Sequence, residues 1–248
     1  MRTLTLPFLF LVASCAYPSF SASRTVDLTL PATDLTELAC TSHNGNITVN
    51  GDPAATQVEL HAELSVRGFS QGEADDNLTM LTVGHETTGG RLRIFGKYPE
   101  GALNNMSPSF SFRLKVPQQV AVDLQSHNGD ITALGTVGNQ RLSSHNGDID
   151  GVAKAGRLAA ETHNGRVELD IQTEGPVDGT IESHNGSIEL VFGANASTTL
   201  SASTHNGDIT TGGRLQDASV TKRSLRGRIG DGNGALSITT HNGDVRIR

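Results

Sequence analysis

Apolar residues recur along this chain in two short rows, one on each side of a repeated His-Asn-Gly tripeptide. The tripeptide begins at His43, His127, His145, His163, His184, His205 and His241, and a degenerate copy reads Leu225-Arg226-Gly227. Upstream, the fifth and third positions before the His are mostly apolar: Leu38 and Cys40, Val122 and Leu124, Leu158 and Ala160, Leu200 and Ala202, Leu236 and Ile238. The residue just before the His is Ser or Thr in every copy, from Ser42 to Thr240, while intervening positions such as Asp123, Gln125, Arg141, Glu161 and Glu182 are polar. Side chains that alternate with period two share one face of a strand. Downstream, a β-branched residue stands four positions after the His: Ile47, Ile131, Ile149, Val167, Ile188, Ile209, Ile229 and Val245.

The two apolar rows have opposite parity, so a straight strand would bury one row and expose the other. Asn-Gly favours positive φ and resolves the conflict by turning the chain. Corners are therefore expected at Asn128-Gly129, Asn146-Gly147, Asn164-Gly165, Asn185-Gly186, Asn206-Gly207 and Asn242-Gly243. From His127 onward the copies step by 18, 18, 21, 21, 20 and 16 residues. A unit of that length holds two short strands and cannot bury its apolar face alone, but stacked units can. The expected fold is all-β: a single-chain β-solenoid of 16–21-residue repeats. An antiparallel sandwich would also give short regular strands, but does not call for the same residue at the same place in each unit.

Residues 56–120 break the period. Thr56 to Val66 alternates apolar and polar, which predicts a long half-buried strand, and further strands are expected at 81–85, 91–95 and 110–116. Polar loops are expected at 70–77 and 99–108. This stretch reads as an irregular β-rich cap on one end of the regular repeats at 120–248.

Composition sharpens the picture in two places. Aromatics make up 4% of the chain and Phe192 is the only one after residue 120, so the repeat core rests on aliphatic and small side chains. A net charge of −7 argues against a nucleic-acid partner, which needs a basic face. At the amino terminus, Arg2 precedes an apolar run from Leu4 to Ala13, too short to span a bilayer, which takes ~20 residues. This reads as a signal peptide. Val12-Ala13-Ser14-Cys15 resembles the lipobox of bacterial lipoproteins, which implies lipidation of Cys15, a tether to residue 24 and a domain at 25–248. Cleavage near Ser21 or Ala22, giving a soluble periplasmic or secreted protein, is the alternative. With Cys15 so used, Cys40 has no disulfide partner, and its place in an apolar row predicts an inert buried thiol.

A Ser/Thr-x-x-Gly-Asp-Ile unit, repeated after a β-region that ends in Lys115-Val116-Pro117, resembles the "putative adhesin" family of bacterial exported β-solenoid domains. The resemblance spans residues 25–248 and implies an envelope location. It implies no catalytic residues and no cofactor, and points to an unidentified protein or cell-surface partner, with membrane contact through the lipid anchor alone.

The repeated imidazoles are the main candidate chemistry. Stacked units would place His127, His145, His163, His184 and His205 in one column ~4.8 Å apart. Imidazole suits Zn, Cu and Ni, so a periplasmic metal-binding module is an alternative to an adhesion or scaffold surface. A repeated column also reads as a structural necessity of the corner, and that reading is preferred. After Asn-Gly the sequence reads Asn46, Asp130, Asp148, Arg166, Ser187, Asp208, Arg228 and Asp244. The arginines break up an acidic row as relief of like-charge repulsion would. A polysaccharide-active enzyme would need a pair of carboxylates standing out from the repeat, and none is evident.

Overall fold

The computed structural model describes residues 19–101 and 107–248; Cys15 and the tetrapeptide at 12–15 lie outside them. The chain opens with β1 (Phe20–Pro31), then a first coil of β2 (Glu37–Asn44) and β3 (Ile47–Asp52). Next come β4 (Gln57–Gly68), α1 (Gln71–Thr79), β5 (Thr82–Thr88), β6 (Arg91–Lys97) and β7 (Ser109–Pro117). Three coils follow: β8 (Ala121–Asn128) with β9 (Ile131–Leu134), β10 (Gln140–Asn146) with β11 (Ile149–Ala153), and β12 (Arg157–Asn164) with β13 (Val167–Ile171). The short β14 (Gly175–Pro176) leads into β15 (Asp178–Asn185) and β16 (Ile188–Phe192), and then β17 (Ala196–Asn206) and β18 (Ile209–Thr211). A hairpin of β19 (Gln216–Val220) and β20 (Ser224–Ile229) precedes the last coil, β21 (Ala235–Asn242) with β22 (Val245–Ile247).

Each coil gives its first strand to one sheet and its second to another, and both sheets are parallel along the stack. Asn44 faces Asn128, which faces Asn146, Asn164 and Asn185 in turn. Ile47, Ile131, Ile149, Val167 and Ile188 line up the same way in the second sheet. Parallel in-register pairing of this kind defines a solenoid and rules out the sandwich, whose strands would run antiparallel. Between the sheets the apolar rows form buried ladders, Cys40–Leu124–Leu142–Ala160–Ile181 among them.

The 56–120 region caps the first coil, as its pattern implies. β7 pairs parallel with β3 and antiparallel with β4, which pairs with β1, while β6 and β5 extend the other sheet beyond β2. Phe110 and Phe112 of β7 are fully buried there, where the aliphatic ladders end.

Several expectations are corrected. The loop expected at 70–77 contains α1. Ser70 caps it by accepting the Glu73 N–H at 3.2 Å, and the Glu73 carboxylate reaches back past the cap to accept the Phe69 N–H at 2.9 Å, so both side chains satisfy backbone donors at the helix start. Residues 20–24, expected as tether, are paired with β4 from Phe20 opposite Gly68 onward, because Ala22 packs its side chain into the core. The degenerate copy at 225–227 is not a coil: β20 runs antiparallel to β17 and ends the stack. Lys222, in place of an apolar residue, reaches out to Asp208 at 3.2 Å. The coils also do not stack wholly in chain order, since β21–β22 lies between β15–β16 and β17–β18.

Candidate functional site: the histidine column

Each corner is built from three ladders that run from coil to coil. The inward hydroxyl before the His donates to a neighbouring glycine carbonyl: Ser126 to Gly45 at 3.2 Å, Ser144 to Gly129, Thr162 to Gly147 and Ser183 to Gly165 at 2.9 Å. Thr240 to Gly186 and Thr204 to Gly243, both at 2.8 Å, continue the series. The Asn side chains form a second ladder, each amide donating to the next carbonyl oxygen at 2.7–2.8 Å from Asn206 through Asn242, Asn185, Asn164, Asn146 and Asn128 to Asn44. Asn44 ends it on the Pro108 carbonyl at 3.0 Å. In the third, the side chain after Asn-Gly accepts the equivalent backbone N–H of the next coil, as Asp130 does for Asp148 and Asp148 for Arg166, both at 2.9 Å.

Glycine is needed at these corners for a different reason from the one the dipeptide suggests. Gly45 has φ +123°, but none of the other corner glycines lies in the left-handed region. Instead the backbones touch. A Cβ on Gly147 would stand 2.2 Å from the Gly129 carbonyl oxygen, and one on Gly186 would stand 1.8 Å from that of Gly165. Only a residue without a side chain lets successive coils close at the spacing that the hydroxyl and amide ladders require.

These ladders set the histidines. The column holds seven rings, in the order His43, His127, His145, His163, His184, His241 and His205, with centroids 4.7–4.9 Å apart. His205 is thus separated from His184 by His241, because the last coil is inserted there. From His145 to His205 neighbouring planes lie within 7° of parallel, while the first two pairs are tilted by 60–65°. Six rings are exposed and His43 is half-buried. The His43 imidazole is held below its ordinary value by burial and, second, by the charge of His127.

The stacking limits what the column does as a ligand set. Parallel rings related by translation keep equivalent nitrogens as far apart as their centroids. An ion bound to two of them at ~2.1 Å needs those atoms within about 4.2 Å. The stacked rings therefore have to rotate before two of them share an ion. Among the described residues no three His, Cys, Asp or Glu side chains converge on one metal position.

A shallow open groove follows the column. Toward one end it has a volume of about 540 Å³ and is lined by His163, His184, His241, His205 and the in-register pair Glu161 and Glu182. Toward the other it reaches Phe95 and Tyr98, with Arg93 placed 4.9 Å and Lys97 5.5 Å from the Phe95 ring. The pattern at 91–95 predicts that strand, but period alone does not say that its outward row borders the first coil of the repeat.

Part of the remaining acidic charge is paired locally. Arg166 lies 3.4–3.6 Å from Asp148, Asp150 and Glu168, consistent with relief of repulsion along the acidic row. The Asp150 carboxyl is nonetheless pushed up, first by burial and then by Asp148, Glu168 and Asp130, with Arg166 opposing. Cys40 is fully buried, and burial pushes its thiol far up, away from the reactive thiolate.

Two parallel sheets of short strands joined by tight corners, with identical residues superposed coil on coil, make this a β-solenoid. The chain belongs to the family described as Toastrack DUF4097, whose model matches residues 5–248. No curated protein matches it in sequence. Among solved structures it is similar to a putative cell adhesion protein from Clostridium sporogenes, at 11% identity and a TM-score of 0.54, over 91% of this chain and 99% of that one. A putative adhesin from Bacteroides fragilis aligns over 92% of this chain and 97% of its own, at 13% identity and a TM-score of 0.37. At these identities the first likeness is one of fold.

Proposed function

We propose that this chain is a non-enzymatic adhesion or scaffold module of the bacterial cell envelope, exported by its amino-terminal signal peptide and anchored through a lipid on Cys15. The observation that carries the reading is the column itself. Seven imidazoles stand at a fixed step on a face whose position is set by backbone and side-chain ladders. The groove beside them offers imidazoles and hydroxyls in repetition, with the carboxylates of Glu161 and Glu182 in register, rather than one distinct acid–base pair. A surface of that kind suits an extended partner held at many weak points. The name of the Clostridium sporogenes protein points the same way.

Beads coated with the purified protein should adhere to the surface of the producing cells, and His145→Ala combined with His163→Ala should weaken adhesion. Adhesion equal to that of uncoated beads would sink the proposal. A palmitate analogue should label the protein at Cys15, and a Cys15→Ala variant that still partitions with membranes removes the anchor. Turnover on a polysaccharide panel would overturn the non-enzymatic assignment.

Transition-metal binding is a second reading, favoured by one local feature. Glu161-Thr162-His163 and Glu182-Ser183-His184 lie side by side in register, giving two carboxylates and two imidazoles on one exposed patch. Rotation of these exposed side chains would be needed to gather them around Zn²⁺. Saturable Zn²⁺ binding lost in Glu182→Gln and kept in His127→Ala would support this patch; equal loss in both would reject it.

A further inference from the structure

At one place the coils stack out of chain order. Residues 235–248 lie between the coil β15–β16 and the coil β17–β18, hydrogen-bonded to both in both sheets. Beyond β18 the Arg214 guanidinium reaches the Phe192 carbonyl at the end of β16, and the two outer coils pair strand to strand at their start. There Ala196 and Ser197 of β17 pair with Gly175 and Pro176 of β14, and the Thr198 hydroxyl donates to the Val177 carbonyl at 2.8 Å. From Thr199, opposite Ala235, β17 pairs with the inserted strand instead. The chain thus forks between Thr198 and Thr199, and the last coil is the wedge.

The fork keeps one register throughout. In the joined part the offset is 196 − 175 = 21 residues. Across the wedge, Gly179 faces Leu236, which faces Leu200, and 200 − 179 = 21. In the other sheet Ile188 faces Val245, which faces Ile209, again an offset of 21. The two walls of the slot therefore match each other as they match the insert. Each wall carries the same Asn amide and the same row of backbone groups, and the insert satisfies both, with Asn242 donating to Asn185 and accepting from Asn206. The wedge is entered through Gly230-Asp231-Gly232-Asn233-Gly234, in which all three glycines have positive φ. An element that follows a glycine-rich hinge and presents the pattern of every other coil meets the requirements for exchange between identical chains.

We propose that residues 235–248 are an exchangeable coil, and that the slot between β15–β16 and β17–β18 is where a second copy of this chain joins by inserting its own. Glu182 and Thr239 are both exposed and face each other across the slot wall. In-register neighbours lie ~4.8 Å apart, within the ~4.4–6.8 Å that a disulfide spans.

The test uses two full-length chains, both carrying Cys15→Ser and Cys40→Ala like every chain in the experiment, one with Glu182→Cys and the other with Thr239→Cys. They are mixed, unfolded in urea and refolded together under oxidising conditions. A disulfide-linked heterodimer is expected, several-fold more abundant than from a control mixture of Glu182→Cys with Gln125→Cys, whose position is three coils from Glu182. A heterodimer no more abundant than in the control overturns the proposal. A single chain with both Glu182→Cys and Thr239→Cys reports folding independently, because its internal bridge forms when its own coil is seated. Once that bridge is closed, the chain should no longer form mixed dimers; dimers formed regardless would place the joint elsewhere.

Discussion

Cutting one rung of the asparagine ladder tests whether the corners hold the coils together. Asn164 is an interior rung: it donates to Asn146 at 2.7 Å and accepts from Asn185 at 2.8 Å. Asn206 is the terminal rung and has one such bond, to Asn242 at 2.8 Å. A net hydrogen bond contributes ~0.5–1.5 kcal/mol, and these lie at an exposed corner, so the lower half of that range applies. Asn164→Ala should then cost roughly 1–2 kcal/mol and Asn206→Ala roughly 0.5–1 kcal/mol. The exposed amides left behind can turn to water, so no penalty for a stranded buried group is added. Urea unfolding followed by circular dichroism measures both. In a stack held by nearest-neighbour contacts, the interior variant should also broaden the transition and lower its slope, because the two halves become less strongly coupled. Equal losses for the two variants, or no loss at Asn164, would refute a ladder that acts rung by rung.

Other outcomes follow from the same structure. Gly147→Ala should destabilise by about 1–3 kcal/mol, because its Cβ meets the Gly129 carbonyl oxygen, whereas Gly72→Ala in α1 meets nothing and should stabilise by about 0.5–1 kcal/mol; thermal melts compare the two. For His43 the folded-state value is the lower one, so its contribution to stability is complete above about pH 6.5 and is lost as the pH falls from there through the folded value. A pH series of urea midpoints should be flatter over that window in His43→Gln, and an unchanged slope would contradict it. Cys40 should resist iodoacetamide in the folded protein and react on unfolding, as mass spectrometry of a Cys15→Ser chain would register. Gln140 stands in an apolar row between Val122 and Leu158 with its Oε1 buried and unpaired, while its Nε2 donates to the buried Thr136 hydroxyl at 2.8 Å, so Gln140→Met alone should lower stability by about 1 kcal/mol and Gln140→Met with Thr136→Val should recover it in the same urea assay.

Period and parity made the solenoid legible, because the same side chain at the same place in each unit has few explanations other than superposition. The buried rows, the polar hydroxyl at the corner and the histidine column all follow from that single inference. Stacking order was not legible. Residues 196–206 and 235–242 present nearly the same pattern, so either matches the free edge of β15, and only the long-range path of the chain decides between them. The corner glycines misled in a related way. Asn-Gly signals a left-handed turn in an isolated hairpin, but here the constraint comes from the next coil, which local sequence does not contain. The helix at 71–79 was readable in principle from Ser70 and Glu73, yet its weakly apolar composition hid it among loop residues.

Each interior coil presents on its upper edge what it receives on its lower one, so the joint does not depend on which coil sits above. Duplicating or deleting a stretch the length of one unit in the gene would lengthen or shorten the molecule by a single step and leave the joints on either side chemically unchanged. A protein assembled this way can evolve its reach in quanta, with the terminal caps carried along intact.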